Sequence, residues 1–549
     1  MRRFGDMDQD NQLNSIGSLP VIRLTLFMLG IVAFMGGLAL AKGGVFVGQH
    51  EGDMMHLMAI TQRMAAGQMP HFDFMTPIGA LAFVPITEML KAGFGIGHAL
   101  IWSQIIVAIT LVPAVLWVTV SRLKGAVAFG FCALCMIMVL ALVHGESQPT
   151  VSFSMHYNRW AWALSFIVIA LSALPPLKTS RPLIDGLVIG AVMAALAMIK
   201  VTYFVALLPA VVVALLQLRK YRTLALSLAV GLVIALILTL FLGLEYWVYY
   251  VLDMLATSQS ALRVAPGLAL TEIMASPAYV HFSILLLSAV VVLRAGGEKQ
   301  AGLIMLLLTP AFWYITYQNF GNDPQWLPML AVLVLAWRPS GPAKTLFGLD
   351  MRQALNTMAI VALVAAAPSL LNLAYSPLRH FNTDVSEYTE VLPNQPDFQS
   401  PTIRMMQLDA RVPYDTPDHG MPAYVERKGA SSWQGEALPI CALELGMKAW
   451  FVAVAEDLEA RGFAGSKIFI ADVFSTLWLF GDFEPLKNGA PWYYGGLPGF
   501  EDADYLLIPL CPGVLSVRAE VLAAVEDSSI EMRNVLETPA YILAERIRD

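Results

Sequence analysis

Runs of roughly twenty residues with few or no charges recur through the first 375 positions, each near the length needed to cross the hydrocarbon core of a bilayer. Eleven spans are predicted, at 21–41, 99–120, 126–143, 159–176, 183–199, 201–217, 223–243, 280–293, 301–317, 325–337 and 354–374. Only 14% of the 549 residues are charged, against about 25% in a soluble domain, and mean hydropathy is +0.64. The fold class is therefore a polytopic all-α membrane protein of about 11–12 spans. The net charge of −7 says little about partners, because membrane proteins segregate charge by side. No basic stripe interleaved with aromatics is present, which argues against nucleic acid. Residues 1–20 are polar and read as a cytoplasmic tail. The segment after them is too long for a signal sequence and lacks a small-residue cleavage site, so it reads as an uncleaved anchor.

Basic residues gather between the spans: Arg122 and Lys124; Lys178 and Arg181; Arg219, Lys220 and Arg222; Arg294 and Lys299; Arg338, Lys344 and Arg352. Lys and Arg accumulate on the cytoplasmic side, and zero or two spans separate each cluster from the next. With Arg2, Arg3 and Arg23 also inside, the first span delivers 42–98 to the outside and the span at 99–120 returns to Arg122. The apolar run Ile78–Gly97 then lies at the interface or re-enters. Segments 144–158, 244–279 and 316–326 are also outside, and the last span exports 375–549.

That C-terminal region is predicted to be a soluble, non-cytoplasmic α/β domain. "SKIFIADVF" and "DADYLLIPL" are short β-branched runs bounded by turn formers, and "LPICALELGMKAWFVAVAEDLEARG" has helical periodicity. Cys441 and Cys511 both fall here and can pair if the compartment is oxidising. Cys132 and Cys135 lie in an apolar helix and read as small buried hydrophobes.

The loop after the first span carries the densest set of ionisable groups. "GQHEGDMMHLMAITQRMAAGQMPHFDFMTPIG" holds Glu51, Asp53, His56, Arg63, His71 and Asp73. On a helix, Asp53, His56 and Arg63 fall within about 80° of one another, with Met54, Met58, Thr61 and Ala65 opposite. The pattern predicts an interfacial helix, apolar side to lipid and ionisable side to a cavity. Glu51 and Asp53 also suit the helix N-terminus, where carboxylates favour the dipole, so one of them can be a cap.

An apolar anchor, two acids, a short helix ending in "AAG" and then a "PHFDFMTPIG" loop resemble the first external loop of the GT-C superfamily of integral membrane glycosyltransferases. The similarity is to the branch of protein O-mannosyltransferases and aminoarabinose transferases. The matching residues are Glu51, Asp53, Gly67, Pro70, Asp73, Phe74, Pro77 and Gly79, with a glycine between the acids that relatives often hold adjacent. The resemblance implies a GT-C-like membrane domain (21–374) with a catalytic first external loop (42–98) and a periplasmic C-terminal domain in a bacterial inner membrane. It implies inverting transfer of a sugar from a polyprenyl-phosphate donor to a lipid, glycan or protein acceptor. Asp53, with Glu51 as the alternative, would accept the acceptor's proton. Arg63 and Arg263 would meet the departing phosphate. A divalent metal, which some relatives use, would draw on Asp53, His56 and Asp73.

Other outside segments add candidate substrate contacts. His71 belongs to the opening loop. "HGESQPTVSFSMHYNRWAWAL" supplies His156 and Arg159, beside His144, Glu146, Tyr157 and Asn158, or else an aromatic belt with a snorkelling arginine. "TYQNFGNDPQWLP" supplies Asn322, Asp323 and Gln325, with Asn319, or else an ordinary turn. Lys200 interrupts an apolar hairpin near the outer side. A flippase or transporter of a lipid-linked sugar would concentrate its charges near the midplane of repeated halves. An O-antigen polymerase or ligase would carry its large loop late in the chain. Neither pattern is evident here.

Overall fold

A computed structural model gives the architecture and describes residues 18–145, 148–260, 270–319, 324–339, 341–412, 430–528 and 530–547. A helix lies at every expected span. In chain order the principal helices are α1 (Ser18–Ala41), α2 (Glu51–Ala65), α3 (Val84–Lys91), α4 (Ile96–Arg122), α5 (Gly125–Leu140) and α6 (His156–Ala173). They continue with α7 (Pro182–Ile199), α8 (Val201–Gln217), α9 (Tyr221–Leu242), α10 (Glu245–Ser258), α11 (Pro277–Ala295), α12 (Lys299–Tyr317), α13 (Leu327–Ala336) and α14 (Met351–Phe381). Prolines at the first turns of α7, α11 and α13 start helices where a missing N–H costs nothing. Asp350 caps α14 by accepting the Gln353 N–H at 2.8 Å.

Six helices among the described residues, α1, α4, α7, α9, α12 and α14, are long and apolar enough to cross a membrane. The expected spans at 126–143, 201–217, 280–293 and 325–337 fall on shorter apolar helices. The α-helix that lies wholly within the run Ile78–Gly97 is the eight-residue α3, about 12 Å long at the helical rise and far short of a bilayer core of about 30 Å. Leu240 and Phe241 of α9 are 76% and 84% exposed, and Val364 and Leu371 of α14 nearly as much, an apolar surface suited to lipid and not to water. α9 nonetheless packs closely on α7, because a Cβ on Gly190 would meet the Ser227 carbonyl oxygen at 2.5 Å.

The loops divide between two ends of the bundle. The basic ones join each other: Leu177 N–H donates to the Ser121 carbonyl, Lys220 Nζ to that of Leu174, Gln300 Nε2 to that of Gln217, and Leu346 N–H to that of Ala295. At this end Arg122 and Asp185 form a fully buried pair at 2.5 Å, and Trp117 Nε1 donates to the second Asp185 oxygen at 2.8 Å. At the opposite end Gly48 N–H meets the Val151 carbonyl, Asp253 meets His71, and Gln325 meets Gly145.

The C-terminal region is a small α/β unit. Its four-stranded sheet contains the parallel pair Ile468–Ile470 and Tyr505–Pro509, extended antiparallel by Tyr541–Arg546 and Met532–Glu537. Helices Met447–Ala460 and Leu515–Asp527 pack against this sheet through Leu458, Val521 and Leu522. Cys441 and Cys511 are disulfide-bonded, with Cα atoms 4.9 Å apart. The unit is tied to the helices by a mixed sheet, in which Val45–Phe46, just after α1, pairs in parallel with Phe398–Gln399.

The buried Arg122–Asp185 pair predicts a large cost when one partner is removed. Asp185→Ala leaves a guanidinium buried with fewer acceptors and is expected to lower stability by about 3–5 kcal/mol. Asp185→Asn, which keeps an acceptor for Trp117, is expected to cost less. Thermal unfolding in detergent checks both, and an unchanged Asp185→Ala midpoint would refute the assignment.

Candidate functional site

Helix α2 starts on His50, held in the left-handed region at φ 66°. Eleven of its fifteen residues are buried, which corrects the expectation of a lipid-facing apolar side. Met54, Met58 and Thr61 are packed inside protein, because α3 lies beneath the helix and the C-terminal unit covers it. Phe474 fills the space over Gly52, the Trp492 ring stands 5.7 Å from that of His56, and Arg63 donates to the Leu486 carbonyl at 2.7 Å. The loop beyond α2 is stitched to the same unit: Asn488 N–H donates to the Asp73 carbonyl and Met75 N–H to that of Gly489. Gly79 must be glycine here, since a Cβ would fall 2.0 Å from the Met198 carbonyl oxygen.

Asp53 opens onto a small cavity that His56, Phe153, Ser154, His156 and Tyr157 help to line. Its Oδ2 accepts the Ser154 hydroxyl at 2.7 Å. The polar chain continues: Ser154 N–H donates to Ser152 Oγ, which lies 3.1 Å from His50 Nδ1, and the His50 ring is 5.1 Å from that of His144. Burial, reinforced by His50 and Arg159, lowers the His144 pKa to about 4, so it is neutral at physiological pH. His156 is buried, and its Nε2–H donates to the Ala82 carbonyl at 2.9 Å, which leaves Nδ1 as the lone-pair nitrogen.

A second polar cavity lies beside the first and is lined by His144, Asn158, Arg159, Thr316, Asn319 and Gln325. Lys200, between α7 and α8, points into this cluster. Its ammonium donates to Asn158 Oδ1 at 2.9 Å and to Asn319 Oδ1, and sits 5.4 Å from the centroid of the Tyr157 ring. Asn319 in turn donates to the Tyr203 hydroxyl at 3.1 Å. Tyr157 is shared, with its ring under Lys200 and its edge on the Asp53 cavity. An apolar slot between α11, α13 and α14 also ends at Gln325.

The sequence-derived residues therefore sort into groups. Asp53, His56 and His156 share one cavity; Arg159 and Gln325 share the next. Glu51 faces away from Asp53, and its two carboxylate oxygens accept from Nε and Nη2 along one edge of the Arg404 guanidinium. Arg63 is 4% exposed and held through Nε and Nη2: it donates to Gln68 Oε1 at 2.5 Å and to the Asp73 and Leu486 carbonyls, and lies 4.8 Å over the Phe74 ring. Burial lowers its pKa to about 10, partly opposed by Asp73, so it remains charged. Arg159 donates to the carbonyls of Ala141 and Val143 just past α5 and closes that helix end. His71 Nδ1 meets Asp253 Oδ2 at 2.8 Å, and the same oxygen accepts the Thr76 N–H. The Asp73 carboxylate turns back to the Met69 N–H at 2.7 Å, away from Asp53 and His56. Among the described residues no three His, Cys, Asp or Glu side chains are grouped to hold a metal. Arg263, Asn322, Asp323 and Glu146 lie outside the described residues.

Ser154, Asp253 and Arg404 escaped the sequence reading. Asp253 had a signal: Tyr246, Tyr250 and Asp253 recur at helical spacing in a segment read only as a connection, and it is α10. Ser154 and Arg404 carried no local mark. Comparison of the chain with protein-family models, with curated proteins and with solved structures returns no match.

Proposed function

We propose that this chain is an integral membrane glycosyltransferase of GT-C-like architecture, with about 11–12 spans, acting at the periplasmic face of a bacterial inner membrane. It transfers a sugar, with inversion, from a polyprenyl-phosphate donor to a lipid, glycan or protein acceptor. The observation that carries this reading is Tyr157, which lines the sheltered cavity of Asp53 and has the Lys200 ammonium 5.4 Å from its ring centroid, while that ammonium donates to Asn158 and Asn319 in the wall of the second polar cavity. Both lie at the end of the bundle remote from the basic loops, where an extended lipid tail and a hydrated phosphate can be served together.

In the proposed step the acceptor hydroxyl oxygen attacks the anomeric carbon and its proton passes to Asp53. The bond between that carbon and the phosphate oxygen breaks, and its electron pair leaves on the polyprenyl phosphate. Ser154 fixes the carboxylate orientation, which is worth rate because misplacement of a reacting group is costly. Lys200 neutralises the charge that develops on the leaving phosphate. The amide oxygens of Asn158 and Asn319 hold it in place. Arg263 is a further candidate for that role. Arg63, committed to carbonyls, serves by holding the loop under the C-terminal unit.

Asp53→Asn is expected to lower transfer by at least about 100-fold, the usual scale of a lost general base, with thermal unfolding unchanged. The assay is sugar release from a panel of purified polyprenyl-phosphate sugars, and near wild-type turnover would reject the assignment. Lys200→Met is expected to lower donor turnover more than Lys200→Arg, and equal effects would count against a charge role. Gln49→Cys is expected to react with an impermeant thiol reagent added from outside. The background is low, because Cys132 and Cys135 are buried and Cys441 and Cys511 are bonded. Labelling only from the cytoplasm would overturn the topology.

A further inference from the structure

A larger cavity, of about 200 Å³, lies on the other side of the first turn of α2, between that turn and the C-terminal unit. Its walls include Glu51, Arg404, Glu444, Asp472, Trp450 and Phe474. The polar groups are fixed from outside the cavity. Arg404 spends two N–H groups on Glu51, and a guanidinium has five. Asp472 is held by the N–H groups of Gly513 at 2.6 Å and Val514 at 3.1 Å, in the loop that follows the disulfide-bonded Cys511. Glu444 is paired with Arg411 yet 41% exposed. Phe474 is braced edge-on against Trp492, and Trp450 against Phe451. The cavity is thus built by covalent and hydrogen-bonded supports and is continuous with the helix that carries Asp53.

Its chemistry is selective. A guanidinium offers donors, carboxylates offer acceptors, and aromatic faces offer flat apolar contact, so a ring bearing hydroxyls, which both donate and accept, finds partners on every side. Arg404 is already paired with Glu51 and Arg411 with Glu444, so among the described residues the lining offers phosphate, sulfate or uronate groups no cation that is not bound to a carboxylate. The volume is below the roughly 300–1,000 Å³ of sites for drug-sized ligands and suits a single ring. We infer that this cavity is a recognition subsite for one neutral sugar ring of a glycan acceptor, a reading that rests on the proposed transferase function. Glu51 and Asp53 stand two residues apart on the same helical turn and face different cavities, so a ring bound here lies within one turn of the reacting position.

Direct binding tests it on the full-length protein in detergent, with no donor present. The probes are fluorescently labelled neutral oligosaccharides of hexose and N-acetylhexosamine, with uronate- and phosphate-bearing oligosaccharides of equal length as the comparison. Saturable binding of at least one neutral probe is expected, with the acidic probes at least about tenfold weaker, the scale of a mismatched charge. Trp450→Leu and the exposed, fold-safe Glu444→Ala are expected to weaken the neutral probe by about tenfold, as for one lost hydrogen bond to a charged group. Asp53→Asn is expected to bind as wild type, which separates this inference from the transfer assay. If no neutral probe binds, if both variants bind unchanged, or if acidic probes bind equally well, the subsite is refuted whatever the transfer assay gives. If neutral probes bind with the expected losses while no donor is consumed, the subsite stands and the transferase reading falls.

Discussion

The arrangement depends on one joint, the seating of Asp397 at the N-terminus of α4. Its Oδ2 accepts the His98 backbone N–H at 2.9 Å and lies 2.7 Å from the His98 ring, while its carbonyl accepts the Val45 N–H. A carboxylate there meets unsatisfied amides and the positive end of the helix dipole at once. The joint sets the register of the parallel pairing between Val45–Phe46 and Phe398–Gln399. Lys42 donates to the carbonyls of Phe381 and Thr383, and Phe46 N–H to His380, so the end of α14 is fastened to the same place. With that corner fixed, the C-terminal unit can only fold back across α2.

Covering α2 changes what its charges mean. In an open interface helix, Glu51, Arg63 and Asp73 would be hydrated and their mutual attraction worth little. Under the roof each needs a partner, and each has one: Arg404 for Glu51, three oxygen acceptors for Arg63, and the Met69 N–H for Asp73. Asp53 is treated differently. It takes one hydroxyl hydrogen bond from Ser154 and faces a cavity instead of a cation. Glu51, by contrast, is clamped by Arg404.

Much of the membrane region was legible because hydropathy and period are local properties. The helices fall on the expected spans, and the basic loops gather at one end although they come from distant parts of the chain. The orientation of α2 was not legible for a physical reason. Methionines at 54 and 58 look the same whether they face acyl chains or another protein layer, since both are equally apolar. Thr61, which returns its hydroxyl to the Leu57 carbonyl, is no better guide. The partners that define the site are also non-local. Arg404 is 353 residues from Glu51, Ser154 is 101 from Asp53, and Asp253 is 182 from His71, so no window on the sequence contains either pair member's reason for being there.

The cations illustrate the same limit and sharpen the chemistry. From sequence, Arg63 and Arg263 are the cations expected at the departing phosphate, with Arg159 and Lys200 as further candidates. Arginine presents five donors in a rigid fork, and here Arg63 donates to Gln68 and to the Asp73 and Leu486 carbonyls, while Arg159 donates to the Ala141 and Val143 carbonyls and keeps a buried Nε–H without a partner among the described residues. Lysine has a compact charge with three rotatable donors. At Lys200 the amide oxygens of Asn158 and Asn319 accept from the ammonium, which also lies over the Tyr157 ring. The three cations are thus told apart by their partners, carbonyls past a helix end for Arg159, a side-chain amide and two carbonyls for Arg63, and side-chain amides for Lys200, none of which a local stretch of sequence specifies.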